Sequence, residues 1–428
     1  MNTKTSIRPG IRTPLGRRAA IWVAAIVLVY LLPQWFSSGL GIAVLNQMFI
    51  MVVFTVAYNM LLGQGGMLSF GHAVFFGLGG YMSIHFSNMV GESGLPVPLI
   101  LLPLVGGLTG LVFGILVGAF STRRAGVVFA MISLGVGELI AASSLIFSSF
   151  SGGEEGVTTD RTEMLPFLGV EFASELSVYY LISAWMLLAI YLMYRFSRTP
   201  IGRMANAVRD NPERAEFVGY STRLVRFMSF SVSGLFAGIA GALFAINYEI
   251  VTEETVNAVT SGIVLLQAYI GGIGFFAGPI VGAVVFTLLQ TLLSNYTEIW
   301  ALYVGIAFVA VVMYAPSGLT GLLMMHQTIW KHGSMRGLLK PYVVCLLPSF
   351  VAFTGVVCIL EHLHAISVDE PEFSLYNIML HTGTMQTWLV GIVLLAVGMW
   401  GARKTAPAVV DAYGVALEQA YKNTVGES

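Results

Sequence analysis

Apolar runs about as long as a bilayer crossing recur along this chain, and they restrict its fold more than any other feature. A helix needs about 20 apolar residues to cross a hydrocarbon core of ~30 Å. Candidate runs occupy residues 20–36, 44–62, 67–86, 98–120, 127–147, 176–196, 227–248, 262–276, 278–297, 299–315, 341–362 and 386–402. Run 262–276 is short for a full crossing and reads as broken or re-entrant. Composition agrees: only 10% of residues are charged and 56% are hydrophobic, against about 25% charged in soluble proteins, so a water-facing surface cannot be covered. The 48 glycines suit helices packed closely in lipid. The predicted fold is an all-α integral membrane protein. About ten transmembrane or re-entrant helices fall in a core at residues 1–335, with about two more in a C-terminal extension, 336–428.

Charge placement sets the expected orientation, because Lys and Arg in short loops stay on the cytoplasmic side. Basic residues gather in the N-terminal arm (Lys4, Arg8, Arg12, Arg17, Arg18), at Arg123 and Arg124, in the loop from Arg195 to Arg226, and at Lys331, Arg336 and Lys340. The opposite side collects Glu154, Glu155, Asp160, Glu163, Glu171 and Glu175 against Arg161, then Glu249, Glu253 and Glu254, then Asp369, Glu370 and Glu372. A multi-pass protein of a bacterial inner membrane with both termini cytoplasmic is expected. The first apolar run lacks a small-residue cleavage site and reads as a retained helix. Net charge is −1 with no basic domain, so no nucleic-acid partner is expected.

Gly106, Gly110, Gly114 and Gly118 place a small-residue groove on one helix face, a packing signal; the functional reading is a pathway-lining face. Gly234, Gly238 and Gly241 read alike. The Gly-rich segments 75–80 and 271–279 resemble each other, which points either to a repeat with the solute path between its halves or to coincidence. Cys345 and Cys358 share one run, 13 positions and so about 20 Å apart, and cannot pair within it.

Chemistry is sparse. No lysine follows a glycine, so the G-x-x-x-x-G-K-[ST] phosphate loop is missing and the chain does not hold ATP that way. Glu361, His362, His364 and His381 lack metal-ligand spacing and read as loop residues, so no metal is expected. The long basic loop is more informative. Asn211 suits an N-cap, Pro212 the first helical position, Glu213 the positive helix end, and Gly219 the closing position. The body of that short helix mixes Ala215 and Glu216 with the adjacent apolar Phe217 and Val218, as a docking element would.

Residues 211–219, ahead of 227–245, resemble the coupling region of membrane subunits of branched-chain amino-acid ABC importers, the LivM-type permeases. Residues 59–73 are similar to that family's early Gly-rich signature, and 271–282 and 314–321 to its late ones. The resemblance runs in order over residues 20–325. It implies a translocation subunit, not an enzyme, importing branched-chain or other amino acids or a small polar solute such as urea. It also implies a second homologous permease chain as heterodimer partner, two ATP-binding subunits that carry ATP and Mg, and a periplasmic solute-binding protein. No cofactor is expected in this chain itself. The family usually ends near Gly321, whereas here two apolar runs and a tail follow. In that tail Val409, Ala412, Tyr413, Ala416, Leu417, Ala420 and Tyr421 share a helix face.

Glu138 lies about 16 Å into its run, near mid-bilayer, where an acid needs a partner or water. It reads either as a pathway residue or as a helix-clamping hydrogen bond. Asn59, Gln64, His72 and Gln267 are the other polar groups at depth, each able to cap a broken helix or to touch solute. The alternative function is a proton-coupled secondary transporter using Glu138.

Overall fold

The computed structural model describes residues 15–167, 169–331, 335–376 and 378–426. Lys4, Arg8 and Arg12 of the basic arm lie outside these. The chain divides into two compact units, Met1–Gly321 and Leu322–Ser428, a boundary earlier than the 335/336 division read from hydropathy.

The first unit is built from α1 (Leu15–Trp35), α2 (Gly39–Asn59), α3 (Ala73–Ser93), α4 (Leu102–Ser121), α5 (Val127–Ile146), the single turn α6 (Ser148–Ser151), α7 (Glu175–Ser197), α8 (Pro200–Asp210), α9 (Pro212–Phe217), α10 (Thr222–Tyr248), α11 (Ala258–Gly271), α12 (Gly278–Ser294) and α13 (Trp300–Tyr314). A π-helical turn, Met60–Gln64, prolongs α2. The short strands β1 (Val157–Thr158) and β2 (Ile250–Val251) pair antiparallel. α14 (Gly318–Lys331) crosses the boundary between the units.

Among the described residues seven helices are long and apolar enough to span, from Gly39–Gln64 to Met385–Asn423. α3 is not one of them, and α11 and α12 are short, at 14 and 17 residues. Fourteen residues rise about 21 Å, less than the core thickness. The turn between α11 and α12 is closed by glycine: a Cβ at Gly271 would strike the Gly278 carbonyl, and one at Gly282 the Gln267 carbonyl. The two helices form a tight hairpin, which makes the ninth run a partner of the eighth rather than an independent long crossing.

Helix contacts bear out the charge segregation within this unit. Gly106, Gly110, Gly114 and Gly118 of α4 face Gly238, Gly234, Ser231 and Phe230 of α10 in that order, so the two helices run antiparallel. The end of α4 with Arg123 and Arg124 therefore lies beside the start of α10 and the loop carrying Arg203, Arg209 and Arg214. This glycine groove is filled by α10 of the same chain, which assigns it to packing and not to a pathway. Phe75–Gly80 lies inside regular α3 whereas Gly271–Gly278 is a break, so the two similar Gly-rich segments fold differently.

At the acidic end Arg161 turns inward. Its Nε donates to the Phe172 carbonyl at 2.9 Å and its Nη1 to the Ile246 carbonyl at 3.3 Å, and it pairs with Glu249 at 3.7 Å. Of the other acids of this end, Glu154, Glu155, Asp160, Glu163, Glu171, Glu175 and Glu254 are exposed and Glu253 is half-buried. Asp160 accepts from the Thr162 hydroxyl at 2.6 Å and from its N–H at 2.8 Å, and these bonds hold its carboxyl below the usual carboxylate range.

The second unit pairs α15 (Arg336–Ser367) with α16 (Met385–Gly426) through close approaches of Gly355 to Leu395, Gly398 to Ala352 and Gly401 to Pro348. A β-hairpin, β3 (Glu372–Leu375) with β4 (Ile378–His381), joins them. Cys345 and Cys358 are both free on α15. The tail predicted after the last span is not a separate element, because α16 continues unbroken. Part of its apolar face is covered, with Ala416 packed beside Ile329 and Leu338, whereas Tyr421 is exposed. Of the four residues considered for a metal and read as loop residues, Glu361, His362 and His364 lie in α15 and His381 in β4; His381 pairs with Glu372 at 3.0 Å, and His362 lies between Phe373 and Trp388.

Candidate functional site at the basic end

Two features of the first unit depart from simple spanning helices, and both involve residues singled out by sequence. The first is the non-helical segment 65–72, which follows the π turn and runs back among apolar helices of the unit. Such backbone within a membrane is tolerated only when protein satisfies its polar groups. Here side chains do so. Tyr58 donates to the Ser69 carbonyl at 3.0 Å, and the N–H groups of Phe70 and Ala73 donate to Ser133 of α5 at 3.1 Å and to Ser261 of α11 at 3.0 Å. Gly71 packs against the Ser133 carbonyl, leaving no room for a side chain.

His72 ends this segment, fully buried beside Phe54, Tyr58 and Phe75, with its Nε2 3.2 Å from the Ser233 hydroxyl. The Ser233 hydroxyl donates in turn to the Ala57 carbonyl at 2.6 Å. Gln267 is also buried and accepts from Thr55 at 2.5 Å, joining α11 to α2. Asn59 is buried, its Oδ1 beside Gly63. All three candidates are therefore buried within this chain, His72 and Gln267 as links between its elements and Asn59 with its Oδ1 unpartnered. Gln64 is half-buried. Glu138 differs: Ser133 and Gly137 face inward on α5, whereas Glu138 is exposed together with Met131, Leu134 and Leu139.

The breaks converge at the basic end. A Cβ at Gly63 would strike both Asn59 and the Ile273 carbonyl, so the π turn lies directly against the break at residues 272–277. That break in turn presses Gly272 against Ser317 and Gly318. Three Gly-rich segments, distant in sequence, thus form one cluster with backbone touching backbone. Phe276 ties it to Tyr194 near the end of α7, with ring centroids 5.5 Å apart.

The second feature is the hairpin of α8 and α9. Thr199 caps α8 by accepting from Gly202 N–H at 3.2 Å, and Asn211 caps α9 by accepting from Arg214 N–H at 2.9 Å, with Pro212 in the first turn. The far end closes as the sequence predicts. Tyr220 N–H donates to the Ala215 carbonyl and Gly219 N–H to the Glu216 carbonyl around Gly219 at φ +91, the pattern that satisfies the last carbonyls of a helix. Ala215 is the anchor, buried against Ala205, Val208 and Val225. Glu213 is exposed, and Glu216 accepts from the Thr222 hydroxyl at 2.7 Å, bracing α9 on α10. Phe217 and Val218 are left 90% and 68% exposed, a condition water does not favour.

Sequence reading passed over Arg209, at the end of α8. It donates to the Gly63 carbonyl and so joins the hairpin to the cluster of breaks. No local pattern marks it, since its partner lies 146 residues away.

Residues 41–317 match the family described as "Branched-chain amino acid transport system / permease component". The high-affinity branched-chain amino acid transport system permease protein LivM of Escherichia coli is 25% identical over 358 residues, which cover 77% of this chain and 81% of that protein. The probable branched-chain amino acid transport permease protein LivH of Methanocaldococcus jannaschii is 25% identical over 57% of this chain and 80% of its own length. A shorter likeness, 29% over 25% of this chain and 33% of the relative, is to the autoinducer 2 import system permease protein LsrC of Salmonella typhimurium. No solved structure matches.

Proposed function

Because this chain belongs to the branched-chain amino acid transport permease family, we propose that it is one translocation subunit of an ATP-driven importer, docked through α9 to an ATPase it does not contain. The observation that carries this reading is the surface of Phe217 and Val218. They stand exposed on a helix that is capped at one end, closed at the other and held from behind by Ala215. A hairpin so well defined, presenting two large apolar side chains, is built to be covered by protein. In this reading ATP and Mg are bound by two partner subunits and a periplasmic binding protein delivers the solute. The solute is a branched-chain amino acid or a compound of similar size and polarity, urea included, with selectivity set mainly by the binding protein. A second, homologous permease chain completes the pathway. Leaving Glu138 to lipid about 16 Å along α5 is costly, so we assign its face to the seam with that second chain.

The test is uptake in vesicles holding this chain with its permease and ATPase partners. Uptake is expected to require ATP and the loaded binding protein, and Glu138→Gln is expected to keep that ATP requirement. Uptake that follows an imposed proton gradient without ATP would overturn the reading in favour of secondary transport.

Orientation is checked separately. With the basic end in the cytoplasm of a bacterial cell, a cysteine at Glu154 should react with an impermeant reagent added outside, and one at Glu213 only after permeabilisation. The reverse pattern would turn the docking surface away from ATP.

A further inference from the structure

The geometry around Arg209 points to a latch: we propose that this side chain carries movement of the docking hairpin into the cluster of Gly-rich breaks. The proposal rests on the docking reading above and names the residue through which docking acts. Arg209 stands two positions before the Asn211 cap of α9, so α9 cannot shift without displacing it. Its guanidinium uses three donors. Nη1 goes to the Gly63 carbonyl, while Nε and Nη2 each lie 2.9 Å from Oδ1 of Asp210. Its stem fits under Gly66, where φ is +65 and an added Cβ would come within 2.6 Å of Arg209 Cγ.

The carbonyl it holds is the next one due at a helix end. Beyond α2 the Leu61 and Leu62 carbonyls are taken by the N–H groups of Met67 and Gly66, and Gly63 receives Arg209 instead. The last carbonyls of a helix lack internal partners and favour a cation. Gly63 is also the residue whose open side is filled by Asn59 and by the Ile273 carbonyl. Pulling on its carbonyl therefore moves either α2 at Asn59 or the break at residues 272–277. The segment in between is a π turn, an irregularity frequent at functional sites. A latch of this kind is a positioning residue: it touches no solute and acts by biasing which arrangement the breaks adopt.

Arg209→Ala and Arg209→Lys, in vesicles holding the complete complex, test it. Arg209→Ala is expected to assemble with the ATPase subunits and to retain basal ATP hydrolysis. Uptake and its stimulation of hydrolysis by the loaded binding protein should fall about tenfold or more, within the range of a coupling free energy. Arg209→Lys should restore only part, because one ammonium cannot hold Gly63 and Asp210 in the same fork. Full uptake by Arg209→Ala would overturn the latch. So would loss of the ATPase subunits, or basal hydrolysis, uptake and melting temperature all falling in step, since these mark a mere staple of the fold. Phe217→Asp separates the two ideas. If it detaches the ATPase while Arg209→Ala transports normally, docking stands and the latch fails; if it leaves the ATPase bound, the docking reading itself fails.

Discussion

Replacing Phe217 and Val218 together by aspartate is expected to strip the ATPase subunits from the purified complex while leaving the permease chain folded. Both side chains point away from the chain, so their loss removes nothing from its interior. Burying each in a partner contributes roughly 1.5–3 kcal/mol, and carboxylates in the same places would have to be desolvated without partners. The combined change should weaken docking by two orders of magnitude or more and abolish uptake with it. Co-purification and ATP-dependent uptake measure the two effects, and the melting temperature of the permease chain supplies the control. An unchanged complex would remove the main support for an ATPase at this surface. A fall in melting temperature as large as the loss of binding would show that α9 packs in some other way.

Gly110→Leu is expected to be the most damaging single change to the membrane domain. Gly110 meets the Gly234 carbonyl of α10 with no space for a Cβ, and Gly234 and Gly238 meet α4 in the same manner. A side chain there meets backbone, which cannot rotate away as a flexible neighbour would. Overpacking of this sort costs about 1–3 kcal/mol when the surroundings can yield; along a seam of backbone contacts the helices must separate instead. Gly110→Leu should insert but fail to yield monodisperse protein, and Gly110→Ala should lower the melting temperature by several degrees. Gly414→Ala in α16 is the contrast. Nothing lies within 4 Å of its added Cβ, and helix propensity favours Ala over Gly by about 1 kcal/mol, so no loss of stability is expected. Equal effects at the two glycines would refute the packing argument.

Features governed by neighbours within a turn or by bulk hydropathy were legible in the sequence. The membrane class follows from the apolar runs, and the segregation of charge at the two ends of the first unit reappears in the antiparallel seating of α4 on α10. The helix at residues 211–219 was readable almost atom by atom. Capping by Asn211, initiation by Pro212 and closure by Gly219 each depend on groups no more than a few residues apart. The roles inside that helix were not readable, because Ala215 became its anchor through Ala205, Val208 and Val225, and Glu216 a brace through Thr222.

What only the tertiary structure decided is which groups meet across long separations. Polarity alone placed Asn59, His72, Glu138 and Gln267 at depth, yet it cannot say which way a helix turns each one. Packing sends His72 among Phe54, Tyr58 and Phe75, binds Gln267 to Thr55, and leaves Glu138 on the exposed face of α5. The glycines on α4 advertised a close contact without naming α10 as its partner. Arg209 looked like one more charge in a basic loop until the fold laid it on the Gly63 carbonyl. Hydropathy and capping are decided by solvent and by bonds spanning a few residues, and therefore appear in local sequence. The meeting of α2, α8 and the two Gly-rich breaks depends on how whole helices pack, and no local pattern encodes it.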